Sequence, residues 1–271
     1  MSNLQLRLKI VPAALLVLTI AFNIAWPIAS GHTRTVLTIL GVLSFFAEST
    51  IHAFVYRGTK FVLTFLFAVL SLSFLAEVIG VHTGLPFGNY SYAPTLGWQL
   101  WQVPLLIPLA WFMMMYPCWL IAIRLTESRI WQIAIASWLM ATWDLFLDPQ
   151  MVTEGFWTWH GYASRESNDI PLSNFFGWLM TAVIVFAVLS AVLPKNSSLD
   201  FELAKPEVRN LDLVPFLAVA WVWLGSFIAN IGWFKPFLDQ PDTAISGLVG
   251  MGIVLVPFYW RLVRQLRVSY S

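Results

Sequence analysis

Eight apolar stretches follow one another along this chain, and each is long enough to span the ~20 residues that a bilayer helix requires. They run from Ile10 to Ala29, Val36 to Tyr56, Phe61 to Gly80, Trp101 to Ile123, Ile130 to Leu147, Phe175 to Leu193, Leu213 to Trp233 and Ala244 to Val263. With 59% apolar residues, 11% charged residues and a mean hydropathy of +0.74, the chain lacks the polar surface of a soluble domain. The predicted fold is therefore all-α: a polytopic helical bundle of about eight transmembrane helices, residues 1–271 forming a single integral domain in the cell membrane. Arg7 and Lys9 precede the first run, but it is long and no small-residue cleavage site follows it, so it reads as a retained helix. A lone Cys118 excludes an intrachain disulfide, a CxxC redox pair and a cysteine zinc cluster. A net charge of +1 argues against a nucleic-acid partner and leaves the lipid bilayer as the surroundings.

The basic residues predict an orientation. With a cytoplasmic N-terminus, the inner segments hold Arg7, Lys9, Arg57, Lys60, Arg124, Arg129, Lys195, Lys205, Arg209, Arg261, Arg264 and Arg267. The outer segments hold only Arg34, Arg165 and Lys235. A bias of twelve to three places both termini in the cytoplasm. Trp26, Trp98, Trp101, Trp157, Trp159, Trp178 and Trp233 then fall at or near the outer interface. An aromatic belt accounts for some of them, but not for a cluster such as "GFWTWHGY". The outer segments Val81 to Leu100 and Asp148 to Asn174 are rich in Gly, Pro, Asn and Tyr, as suits ordered loops folded over a site. The inner linker "PKNSSLDFELAKPEVRNLD" reads as a solvated connection.

Ionisable groups inside spanning helices are costly and mark function by default. Glu48 and His52 in "AESTIHAF" share a helix face at i,i+4 and can pair, either as a clasp between helices or as a catalytic couple. Glu77 sits near the outer end of the third run, and Asp144 about one turn, roughly 6 Å, inside the end of the fifth. Asp148 precedes Pro149, a pairing that suits the N-cap of a short new helix as well as a site role. Glu77 and Asp144 have no local capping duty, which favours function. His32, His82 and His160 fall in outer loops, where interfacial placement explains them; His82 and His160 lie in the two loops of interest and are also candidates to line a site.

Several chemistries lack their motifs. No GxGxxG follows a strand and no GxxxxGK[ST] loop occurs. Four scattered histidines cannot build the boxes of a membrane di-iron oxygenase, and no GxSxG elbow supports a serine nucleophile. No cofactor and no metal is predicted. Carboxyl groups in an apolar, aromatic pocket remain, and such a group is readily kept protonated as an acid. Protonating an alkene yields a carbocation that the faces of Trp143, Trp157, Trp159 or Tyr90 can stabilise, while a second carboxylate orients or deprotonates a water.

The segments "AEVIGVHTGLPFGNYSYAPTLG", "VPLLIPLAW", "WDLFLDPQM", "FWTWHGY" and "IPLSNFFGW", in this order between Ala76 and Trp178, resemble the membrane carotenoid biosynthesis proteins. That family includes acyclic carotenoid hydratases such as the bisanhydrobacterioruberin and gamma-carotene hydratases. The resemblance implies cofactor-independent addition of water across the terminal isopropylidene double bond of an acyclic carotenoid, giving a tertiary alcohol. It implies a carotenoid substrate and water as reactants, with other carotenoid-pathway enzymes as candidate partners. Asp144, Glu77, Asp148, Glu48 and His52 are then the catalytic candidates. His82, Asn89, Tyr90, Tyr92, Trp143, Trp157, Trp159, His160 and Asn174 are the substrate-binding ones. One departure is the polar stretch between Tyr162 and Pro171, longer and more charged than the family pattern. A carotenoid is a stiff rod comparable in length with the ~30 Å hydrocarbon core, so its end lies near an interface where water is available.

Three alternatives remain at this level. The DxxxD spacing of Asp144 and Asp148 is compatible with Mg2+ and diphosphate in a membrane prenyltransferase, although no second Asp-rich motif exists. The same acid chemistry ending in proton loss would make an isomerase or lyase of the carotenoid end. Glu48, Glu77 and Asp144 can also form the proton path of a transporter, or belong to a lipid-binding protein.

Overall fold

Backbone groups in hydrocarbon must find partners within the protein, and for oily runs of this length the helix is the form that does so. The computed structural model of the chain describes residues 3–161, 170–193, 212–231 and 241–269. Its helices are α1 (Asn3–Ala25), α2 (Gly31–Arg57), α3 (Thr59–Thr83), α4 (Leu106–Leu125), α5 (Arg129–Thr153), α6 (Leu172–Val192), α7 (Leu213–Asn230) and α8 (Pro241–Ser269). Among the described residues, eight helices are long and apolar enough to cross a membrane. Phe67, Leu63 and Ile253 are more than half exposed on the flanks of the bundle, as expected of side chains that face lipid tails. Arg165 with most of the polar stretch after Tyr162, Lys195, Lys205 and Arg209 of the long linker, and Trp233 with Lys235 lie outside the described residues.

α4 is the axis of the bundle. It is apolar on all sides, and every residue from Trp111 to Ala122 is buried, as a helix without a polar stripe must be. It packs against α2, α3, α5 and α7, while α5 also packs on α6 and α8. Phe112 meets Phe46 and Phe65 edge-on, with ring centroids 5.2 and 5.6 Å apart.

Two connections at one end of the bundle close over its core. The α3–α4 connection carries β1 (Tyr90–Tyr92) and the α5–α6 connection carries β4 (Trp157–Trp159). They pair antiparallel, with Tyr90 opposite Trp159 and Tyr92 opposite Trp157. Strand alternation puts all four of these rings on one face, which turns toward the helices, while Ser91 and Thr158 point away. Room for this lid comes from glycines. A Cβ on Gly177 of α6 would lie 2.6 Å from the Phe87 ring, and one on Gly80 of α3 would lie 2.7 Å from the Tyr90 hydroxyl.

Helix boundaries shift by several residues from the sequence expectation, for example to Asn3 at the start of α1 and to Ser269 at the end of α8, and two of the differences bear on the lid end. The run starting at Trp101 is not helical throughout: β2 (Gln99–Leu100) and β3 (Val103–Pro104) form a small hairpin before α4. Trp101 and Gln102 occupy its two-residue turn with φ of 47° and 66°, both positive as a type I′ turn requires. Trp101 stacks on Phe74 with centroids 6.1 Å apart, a contact invisible to hydropathy. The second difference is at Asp148. α5 does not stop at Leu147 but continues through Pro149 to Thr153, so Asp148 is not an N-cap. Pro149 removes one backbone donor without ending the helix, and the Asp148 side chain is buried, bonded to Trp157 and Asn174.

At the opposite end, buried Asp212 accepts from Arg57 Nη2 and Arg124 Nη2, each at 2.7 Å. His52 Nε2 is 3.9 Å from the same carboxylate, and His52 Nδ1 bonds the Tyr116 hydroxyl at 2.8 Å. Glu48 Oε2 accepts from Ser49 at 3.0 Å. The i,i+4 residues Glu48 and His52 thus belong to a polar layer between α2, α4 and α7.

Candidate functional site

Beneath the β1–β4 lid is a cavity of about 210 Å³ whose wall includes Glu77, Asp144 and Asp148. All three carboxyl groups are almost completely buried. They arrive from two helices: Glu77 lies near the end of α3, and Asp144 and Asp148 are one turn apart on α5. Asn174, in the first turn of α6, completes the set.

The three carboxyls are held differently. Glu77 receives three donors: the hydroxyls of Tyr90 and Tyr92 reach Oε2 at 2.6 and 2.8 Å, and Trp111 Nε1 reaches Oε1 at 3.0 Å. Burial first, then the neighbouring Glu77 carboxylate, pushes both phenols above the ordinary tyrosine range. The two hydroxyls therefore stay protonated and donating. Asp148 has both oxygens occupied, Oδ1 by Trp157 Nε1 and Oδ2 by Asn174 Nδ2 at 2.7 Å. Asn174 Nδ2 sends its second hydrogen to Asp144 Oδ2, also at 2.7 Å. That use of both hydrogens fixes the amide orientation, because a carbonyl oxygen there would face two carboxylates. Asp144 Oδ1 is buried and has no hydrogen-bond partner among the described residues.

Aromatic faces wall the same space. Trp111 stacks on Trp178 with centroids 4.2 Å apart and planes within 11°, and Trp143 meets Trp178 edge-on at 5.9 Å. Trp157 and Tyr92 are 5.7 Å apart and nearly perpendicular. Rings and carboxyl groups together make a pocket that is oily yet able to carry negative charge, suited to an apolar group that becomes positive during reaction.

The sequence candidates divide on this geometry. Glu77, Asp144, Asp148, Tyr90, Tyr92, Trp143, Trp157, Trp159 and Asn174 all line the cavity. Glu48 and His52 do not; they sit in the polar layer described above. His82, in the last turn of α3, and Asn89 and His160, beside the β1–β4 strands, are exposed and do not line the cavity. There His160 Nε2 is 2.8 Å from Ser91 Oγ, and the Asn89 carbonyl accepts from the His160 backbone at 2.8 Å. His82 bonds the Val78 carbonyl one turn back at 2.9 Å. Among the lining residues that the sequence reading did not single out are Trp111 and Trp178. Trp111 looks like one more apolar residue of a spanning run, and Trp178 like an interfacial one; their indole pair declares itself only once α4 and α6 are side by side.

A family model described as "Carotenoid biosynthesis protein" matches residues 33–238 of the chain. Bisanhydrobacterioruberin hydratase of Haloarcula japonica is 28% identical over 201 residues, which cover 70% of this chain and 61% of that protein. No solved structure matches.

Proposed function

Since the chain belongs to the carotenoid biosynthesis protein family, we propose that it is a hydratase of acyclic carotenoid ends, working in the cell membrane with the lid end of the bundle outward. The observation that carries this reading is the division of labour among the buried carboxyls: each oxygen of Glu77 and Asp148 already accepts a hydrogen bond, while Asp144 keeps one oxygen bare in the cavity wall.

In the proposed reaction, Asp144 gives a proton from Oδ1 to the secondary carbon of the terminal double bond. Positive charge develops on the tertiary carbon beside the indole rings of Trp111, Trp178 and Trp143 that line the cavity, with Glu77 as the negative counterpart. A water then adds its oxygen to the tertiary carbon and loses a proton to Asp148. The Asn174 amide, bonded to Oδ2 of both aspartates, holds them close enough for the proton to return from Asp148 to Asp144. Alkene and water supply every atom of the tertiary alcohol, and neither an electron carrier nor an activated group is consumed. The relative's name speaks of hydration of bisanhydrobacterioruberin, and this pocket suits the same class of end group.

Expression in a host that accumulates acyclic carotenoids, followed by mass analysis of the pigments, tests the proposal. The expected product gains one water per modified end. Unchanged pigment across several acyclic substrates overturns the proposal, and a product isomeric with the substrate makes the protein an isomerase of the same end.

A further inference from the structure

The cavity wall also carries residues that the chemistry above does not use: Asn23 of α1, Gly41 and Phe45 of α2, and Trp221, Gly225 and Ser226 of α7. We infer that these residues line an arm of the cavity that is the channel for the polyene shaft of the substrate, which leaves the protein sideways into the bilayer between α1 and α7, under a latch made by Asn23 and Trp221. Only the identity of the occupant rests on the hydratase reading.

Size sets the requirement. A cavity of about 210 Å³ accepts the end of a carotenoid but not a rod comparable in length with the ~30 Å hydrocarbon core, so the remainder must pass out through a wall. The lid closes one direction with the buried rings of Tyr90 and Trp157, and α4, buried from Trp111 to Ala122, closes another. The α1–α7 side is different. α1 packs chiefly on α2 and only lightly on α7.

The latch itself is unusual for a membrane helix. Asn23 is exposed, two residues before the end of α1, and a primary amide at the edge of the hydrocarbon is favoured by a partner. Its Oδ1 accepts from Trp221 Nε1 at 3.0 Å, so one side-chain bond spans the two helices at the arm. Both partners rest on glycine. A Cβ at Gly41 would come within 3.3 Å of the Asn23 amide nitrogen, and one at Gly225 within 3.3 Å of the Trp221 indole. A single hydrogen bond between two lightly packed helices is weak enough to open, and the indole that swings aside is itself an apolar surface for a polyene.

The test compares two hydrocarbons with the same isopropylidene end, lycopene and the short terpene myrcene, using the full chain in lipid nanodiscs. Ser226→Trp fills the arm and should lower the ratio of lycopene to myrcene hydration by about tenfold or more, together with the amount of lycopene that stays bound on purification. Trp221→Phe keeps a ring and removes the N–H, and should speed exchange of bound lycopene severalfold; it guards against misfolding of the first variant. If both variants keep the wild-type ratio, lycopene retention and exchange rate, the inference is overturned and the arm holds a lipid tail instead. If the wild type hydrates neither compound while Ser226→Trp still loses bound lycopene, the hydratase reading falls and the channel stands.

Discussion

Asp144→Asn separates chemistry from folding more cleanly than any other change in this site. The substituted amide can turn its oxygen to Asn174, keeping the 2.7 Å bond that Asp144 Oδ2 now accepts. Its NH2 group then takes the place of Oδ1, an atom that faces no donor in the wild type, so no donor meets a donor. A protonated Asp144 is neutral, as asparagine is, so the charge beside Asp148 does not change. The structural cost is therefore small, within ~1 kcal/mol on the scale of a single hydrogen bond. The chemical cost is not. Loss of a positioned general acid lowers rates by about 10²–10⁴, or roughly 2.7–5.4 kcal/mol of activation free energy. The expected outcome is a variant that reaches the membrane at wild-type level, melts within a few degrees of it in detergent, and leaves the acyclic pigment unhydrated when product is followed over time in the carotenoid-producing host. Near-normal turnover by Asp144→Asn would refute the assignment of the bare oxygen as proton donor. A variant that is inactive but also unfolded would shift Asp144 to a structural role.

Three further outcomes follow from the same geometry. Because the folded protein raises the Tyr90 and Tyr92 hydroxyls above the ordinary value of 10.0, their contribution to stability is complete below that pH and is lost as pH rises through the folded-state values. Melting temperature should thus fall more steeply above pH ~10 in the wild type than in the Tyr90→Phe, Tyr92→Phe double variant. Asp212→Ala strands Arg57 and Arg124 against a buried void and should cost about 3–5 kcal/mol, read as a lowered melting temperature in detergent with the lid end untouched. Gly177→Val sets a branched side chain where a Cβ alone comes within 2.6 Å of Phe87. Overpacking of ~1–3 kcal/mol is expected there, and the displaced lid should appear as faster proteolysis between β1 and α4, together with reduced hydration.

Much of this arrangement is legible in the sequence because membrane burial makes polarity expensive. Glu77 and Asp144 stand out against apolar runs on cost alone, and "NYSY" and "FWTW" stand out as aromatic clusters too dense for a belt. What the sequence hides is pairing at a distance. Nothing local says that Tyr90 and Tyr92 turn back onto Glu77, or that "YSY" forms a sheet with "WTW", because the strand partners are separated by two spanning helices. Asp148 misleads for a related reason: Asp before Pro is a capping signal in isolation, and only the tertiary partners Trp157 and Asn174 hold it inside a continuous helix. Glu48 and His52 show the converse. Cost in the membrane identifies them, yet their partners, Ser49 on Glu48 Oε2 and Tyr116 on His52 Nδ1, lie in a layer apart from the cavity wall.

The choice of hydrogen-bond partners in the cavity has a chemical reason beyond stability. Buried carboxylates are usually held by Arg or Lys, and the chain does this at Asp212, where two guanidinium groups meet one carboxylate. Around Glu77, Asp144 and Asp148 the described hydrogen-bond donors are instead tyrosine hydroxyls, indole N–H groups and one amide, all neutral. A cation placed there would orient the carboxyls equally well, but it would repel the positive charge that protonation of an alkene creates. Neutral donors fix the geometry and leave the negative potential uncancelled for the transition state, where a preorganised field is most effective. The same demand explains why the pocket is roofed by rings: a tertiary cation is captured by any water that reaches it, so the lid must limit access of water to the side of the aspartate that receives its proton.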